Sequence, residues 1–224
     1  MRKILMILLA VSTILIFGSL SWAAEGMKPQ ESQAQYSADS SIETAKVTLK
    51  SKVYVVPGKE RKEQEIGGGK QITITRSDKG VMWMLMPEQK MYMEMGMNQG
   101  QQQGSDADIS KYKTEKAEEV GKEVIDGHEA TKYKVIMTSE EGKKFGGFIW
   151  VVNPGIQIKM DAISQEGDSK ERIKMELTNL KIGQQDPALF EIPADYTKME
   201  MPGLPGRGKG GMKGLFDAVP GLGR

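Results

Sequence analysis

Apolar and polar residues alternate along most of this chain, and period-two alternation is the mark of strands with one buried face. Val47, Leu49, Val53 and Val55 interleave with Thr48, Lys50, Lys52 and Tyr54, and Pro57-Gly58 closes that run as a tight turn. The return run, Glu60 to Ile66, is densely charged and predicts an edge or solvent-facing strand. Gly67-Gly68-Gly69 then leads into Gln71 to Arg76, with Ile72 and Ile74 on one face and Thr73 and Thr75 on the other. Ser77-Asp78-Lys79-Gly80 is a further turn.

The next segment, V-M-W-M-L-M-P-E-Q-K-M-Y-M-E-M-G-M, carries seven of the chain's 16 methionines between Val81 and Met97. Its spacing predicts a hairpin with Pro87-Glu88-Gln89-Lys90 at the tip and methionine along one face of each arm. Val, Ile and aromatic residues pack better in strands. An unbranched thioether adapts to more shapes, so this choice suits a surface that accepts several.

The second half repeats the pattern. Lys122 to Ile125 and Ala130 to Thr138 flank the turn Asp126-Gly127, and Lys144 to Val152 sets Phe148 and Trp150 on one face. Asn153-Pro154-Gly155 turns the chain into alternating Ile156, Ile158, Met160 and Ala162, and Glu166-Gly167-Asp168 turns it into Ile173, Met175 and Leu177. One short helix interrupts the strands: Ser105-Asp106-Ala107-Asp108 has the form of a capping box, Ile109, Tyr112, Ala117 and Val120 have helical spacing, and Gly121 would end it. The prediction is a mainly β chain (α+β), an antiparallel meander with one or few short helices.

The ends differ from this middle. Met1 to Ala24 has a basic start at Arg2-Lys3, an apolar run from Ile4 to Phe17 and a small-x-small site at Ser21-Trp22-Ala23. This predicts a signal peptide cleaved after Ala23 and a periplasmic protein; an uncleaved anchor would ask for a longer, uninterrupted apolar run. Residues 25–35 predict a loose N-terminus, and 202–224, rich in glycine and mildly basic, a disordered tail.

Candidate chemistry is sparse. There is no cysteine, and the one histidine, His128, sits beside the Asp126-Gly127 turn, so the usual zinc sites cannot form and no cofactor is expected. Glu118-Glu119 and Glu140-Glu141 read as solvated pairs. Gly67-Gly68-Gly69-Lys70 lacks phosphate-loop spacing. An enzyme is not expected. Lys plus Arg total 31 against 30 Asp plus Glu, a balance that argues against a nucleic-acid partner.

Lys90 to Met95 (K-M-Y-M-E-M), the turn D-G-H-E-A-T-K-Y from Asp126 to Tyr133, and above all D-P-A-L-F-E-I-P-A-D-Y from Asp186 to Tyr196 resemble a group of exported bacterial proteins of unknown function. That group is similar, more distantly, to the LolA-type outer-membrane lipoprotein carriers and sorting proteins. Over residues 36–201 the resemblance implies an open antiparallel β half-barrel with an apolar face, which in the carriers holds lipoprotein acyl chains. The arginines of the carriers' lid have no counterpart that can be placed here.

Three readings of the hairpin follow. An apolar wall of Met82, Trp83, Met84, Met86, Met91, Tyr92, Met93 and Met95 would bind a lipid or lipoprotein acyl chain, each buried methylene contributing about 0.8 kcal/mol. The same methionines could simply fill a core. Thioethers are also soft ligands, so Met91, Met93 and Met95 could hold Cu(I). A different class, an envelope interaction or scaffold protein, would use the charged edge or the tail to bind a protein partner.

Overall fold

A computed structural model describes residues 20–22, 29–31, 33–97, 112–139 and 142–199. A two-stranded sheet pairs β1 (Leu20–Trp22) with β2 (Pro29–Glu31). The remaining strands form one sheet: β3 (Tyr36–Glu43), β4 (Thr48–Val56), β5 (Lys59–Ile66), β6 (Gly69–Arg76), β7 (Val81–Met86), β8 (Met91–Gly96), β9 (Tyr112–Ile125), β10 (His128–Ser139), β11 (Lys144–Val152), β12 (Ile156–Glu166), β13 (Ser169–Ile182) and β14 (Thr197–Lys198).

Their order is β14-β8-β7-β6-β5-β4-β3-β13-β12-β11-β10-β9, twelve strands whose two edges do not pair with each other. Every neighbour is antiparallel except β14 on β8. The alternation predicts this mainly β antiparallel sheet, and the resemblance implies its open, curved form. Tight turns at Pro57-Gly58, Asp126-Gly127 and Asn153-Pro154-Gly155 stand where the sequence puts them. Asp126 and Gly127 both have positive φ, the geometry of a two-residue hairpin loop.

Two expectations are corrected. The helix is absent where described: Tyr112 to Ile125 is strand β9, and Ser105 to Ile109 lie outside the described residues. The reason is bulging, because register shifts at Lys132/Tyr133 and at Ile136/Met137 insert extra residues into β9 and break its period of two. The resulting spacing imitates a helix, and Gly121 lies inside the strand opposite Lys132.

Charged β5 is no edge strand, since it sits between β4 and β6 with Lys62 and Gln64 buried. Arg61–Glu63 and Lys62–Glu60 ion pairs, each 2.8 Å, let so many charges lie inside a sheet. Of residues 25–35, those described are 29–31 and 33–35: Pro29–Glu31 pairs with β1, Ala34 is buried, and the Gln35 carbonyl accepts from the Gly183 amide at 2.8 Å. The predicted tail lies outside the described residues, as does most of the predicted signal segment.

Two hydrophobic clusters stabilise the sheet. The larger joins β3, β4 and β10 to β13 through Tyr36, Val55, Val135, Ile149, Ile158 and Met160. The smaller gathers Ile72, Ile74, Trp83, Leu85 and Phe190. Unbroken register from β3 to β8 puts the two on opposite faces: one row runs Ala38, Val53, Lys62, Thr73, Met84, Met93, and the next residues along carry Tyr54, Arg61, Ile74, Trp83 and Glu94.

Candidate functional site

Antiparallel pairing of β7 with β8 sets Met82 opposite Met95, Met84 opposite Met93 and Met86 opposite Met91. The six predicted methionines therefore form three cross-strand pairs on one face. Directly opposed side chains have Cβ atoms about 4.5–5.5 Å apart, and successive pairs are about 6.6–6.8 Å apart along the strand. All six are half-buried, and neither core cluster includes them.

Trp83 and Tyr92, grouped with the methionines in the sequence reading, are not brought together with them. Both point to the other face, because a strand alternates. Trp83 is 6% exposed and Leu85 fully buried in the smaller cluster, with Tyr92 packed against it. Together with the methionines this accounts for the uninterrupted apolar run Val81 to Met86: one face of β7 packs into the smaller cluster, and the other carries the partly exposed methionines.

What covers that other face is the stretch from Asp186 to Tyr196. The Asp186 carboxylate accepts from the Ala188 amide at 2.9 Å, Pro187 presets the backbone, and Pro187–Phe190 closes as one 3-10 turn. Phe190, 1% exposed, inserts between Ile74, Trp83 and Leu85. Arg76 then fixes the turn from below. It donates to the Phe190 carbonyl at 3.0 Å, to Glu191 at 2.6 Å and to both Asp78 oxygens at 2.8 and 2.7 Å, with its guanidinium 5.5 Å from the Trp83 ring centroid. Arg61 donates to the Leu189 carbonyl at 3.0 Å.

The stretch continues as β14, where the Thr197 amide donates to the Lys90 carbonyl at 2.9 Å and the Met199 amide to the Tyr92 carbonyl at 2.7 Å. Lys198 pairs with Glu94 at 2.8 Å, and the Trp83 indole N–H donates to the same carboxylate at 2.9 Å. We call residues 186–199 the clasp.

Its charges are mutually adjusted. Hydrogen bonds from Arg76 hold Asp78 below the usual carboxylate range, and those from Lys198 and Trp83 do the same for Glu94. Burial pushes Glu191 up, but the bonds and charges of Arg76 and Lys79 outweigh it and leave it low. Arg76 is raised, chiefly by its bonds to Asp78, and stays charged at any working pH.

His128 sits half-buried at the start of β10, opposite Ile125. Among the described residues no group of His, Asp and Glu is placed to hold a metal ion. The sequence singled out Asp186 to Tyr196 as a family-like ending, but not its packing on the sheet or the arginines that hold it. The available signals were Arg76 closing an apolar alternation and an aromatic residue flanked by two prolines.

Residues 39–153 match the family model for a domain of unknown function, DUF4412. That span takes in the methionine hairpin and ends before the clasp. No curated protein matches the sequence. Among solved structures, an uncharacterized conserved protein from Thermus thermophilus is similar at 12% identity and TM-score 0.48, over 75% of this chain and 90% of that one. MucB in the Pseudomonas aeruginosa MucA/MucB complex is similar at 12% identity and TM-score 0.45, over 75% of this chain and 59% of that one. An outer membrane lipoprotein-sorting protein domain from Vibrio parahaemolyticus is similar at 10% identity and TM-score 0.32, over 71% of this chain and 90% of that one.

Proposed function

We propose that this chain, which belongs to the DUF4412 family, is a non-catalytic protein of the cell envelope that holds a lipid or lipoprotein acyl chain against its methionine face. The observation that carries the reading is the arrangement of Met82, Met84, Met86, Met91, Met93 and Met95: paired across two strands, half-buried, outside both cores. Methionines that only filled a core would be expected inside one, as Met137, Met160 and Met175 are.

An acyl chain needs no polar partner and gains about 0.8 kcal/mol for each methylene it buries. A wall of thioethers reshapes around chains of differing length at low cost. The far side of the hairpin, bonded to the clasp, keeps the wall in place while its side chains move. Native mass spectrometry of the exported protein, with extraction of co-purifying lipid, tests the reading. A bound acyl species that is lost on replacing Met84, Met91 and Met93 by glutamine supports it. Protein free of lipid that also fails to bind added acyl probes refutes it.

The cross-strand register favours one further reading. It brings opposed thioethers nearer to each other than neighbours on one strand, which suits a soft ion such as Cu(I). Titration with Cu(I) under reducing conditions distinguishes the two, since replacing Met91, Met93 and Met95 by leucine removes a metal site but leaves an apolar wall.

A further inference from the structure

The methionine face is not apolar throughout. Following its rows into the sheet, Met93 and Met84 are succeeded by Thr73 and then Lys62, while Met95 and Met82 are succeeded by Thr75 and then Glu60. Beyond these, Val53 and Val55 resume the apolar surface and join the larger cluster. A polar stripe two strands wide, about 5 Å per strand, thus separates the methionine wall from the core on the same face.

At the centre of that stripe stands an ion pair. The Lys62 ammonium lies 2.8 Å from the Glu60 carboxylate, and their side chains are 9% and 15% exposed. Desolvating two charges costs about as much as their attraction returns, so a buried pair is poorly explained by stability alone. Two of the three methionine rows therefore end on opposite charges set side by side.

We propose that this stripe is a headgroup site, and that the amphiphile held on the methionine face carries a zwitterionic head, an ammonium with a phosphate, lying antiparallel to Lys62 and Glu60. The inference rests on the proposed binding of an acyl chain at that face. A purely anionic head would approach Lys62 only by crowding Glu60, and a cationic head the reverse. A head with both charges meets both partners, and Thr73 and Thr75 supply hydroxyls between the tail and the charges.

Single-chain amphiphiles of one tail length test it on the full exported protein: lysophosphatidylethanolamine, a fatty acid, an alkylamine and a monoacylglycerol, with glycerophosphoethanolamine as the head without a tail. The expected result is about tenfold tighter binding of lysophosphatidylethanolamine than of the other three, and none of the tailless head. Glu60→Gln should shift the preference toward the fatty acid and Lys62→Gln toward the alkylamine. The wild-type ranking stands as evidence even if a variant fails to fold. Equal binding of all four heads, tight binding of the tailless head, or rankings unmoved in folded variants overturns the headgroup site while leaving acyl binding intact. Absence of binding by every amphiphile overturns both.

Discussion

The two faces of the β7–β8 hairpin are built from neighbouring residues of the same strands, yet they solve different problems. Trp83, Leu85 and Tyr92 look toward the clasp, where a buried phenyl ring, two arginines and a run of backbone bonds fix every group in one arrangement. The methionines look the other way, partly exposed and outside both core clusters. Rigidity on one side permits adaptability on the other. A strand with two pliable faces would lose its register, and one with two fixed faces would have no surface to offer.

The contrast predicts that stability resides on the clasp face and binding on the methionine face. Phe190→Ala should show the largest stability loss, about 3–5 kcal/mol in urea unfolding, because it opens a cavity among Ile74, Trp83 and Leu85. Arg76→Ala should cost about 1.5–3 kcal/mol in the same experiment, since charged hydrogen bonds to the Phe190 carbonyl and Glu191 are lost. Gly147→Ala, away from the hairpin, should cost about 1–3 kcal/mol: its Cβ would stand 2.5 Å from the Ala162 Cα, and the backbone would have to shift.

Acid should loosen the clasp next. Asp78, Glu94 and Glu191 titrate below their ordinary values in the folded chain, so their stabilisation is present above about pH 4–5, where the unfolded groups are ionised. It is lost as pH falls through the lowered folded values. Protection factors for amide exchange at Leu189 to Thr197 should therefore fall in acid before those in β12 and β13 do. The smallest effect belongs to Met91, Met93 and Met95 replaced by leucine: unfolding free energy changes by about 1 kcal/mol or less, while the range of acyl lengths bound narrows.

Much of this architecture was legible as alternation and turns. In β4, β6, β12 and β13 apolar residues alternate onto one buried face, and Pro57-Gly58, Asn153-Pro154-Gly155 and Glu166-Gly167-Asp168 mark turns, so local signals and fold agree. What was not legible has physical causes. β9 contains two bulges, which turn a period of two into something that resembles a helical spacing. β5 reads as an edge because composition registers its charges but not their pairing two residues apart along each face, Arg61 with Glu63 and Lys62 with Glu60, which lets them lie inside the sheet.

The candidate site was half legible. Periodicity identified the methionine face, and the same alternation puts Trp83 and Tyr92 on the opposite face of the hairpin. The clasp depends on contacts between Arg76 and Glu191, far apart in the chain, and no local pattern announces those.

The most direct measurement is NMR of methionine methyl groups labelled with carbon-13, recorded while a single-chain acyl amphiphile is titrated into the protein. Saturating shifts at Met82, Met84, Met86, Met91, Met93 and Met95, with Met137, Met160 and Met175 of the core unmoved, are the predicted result. Shifts confined to the core methionines, or none at any, would contradict the assignment of the methionine face as the binding surface.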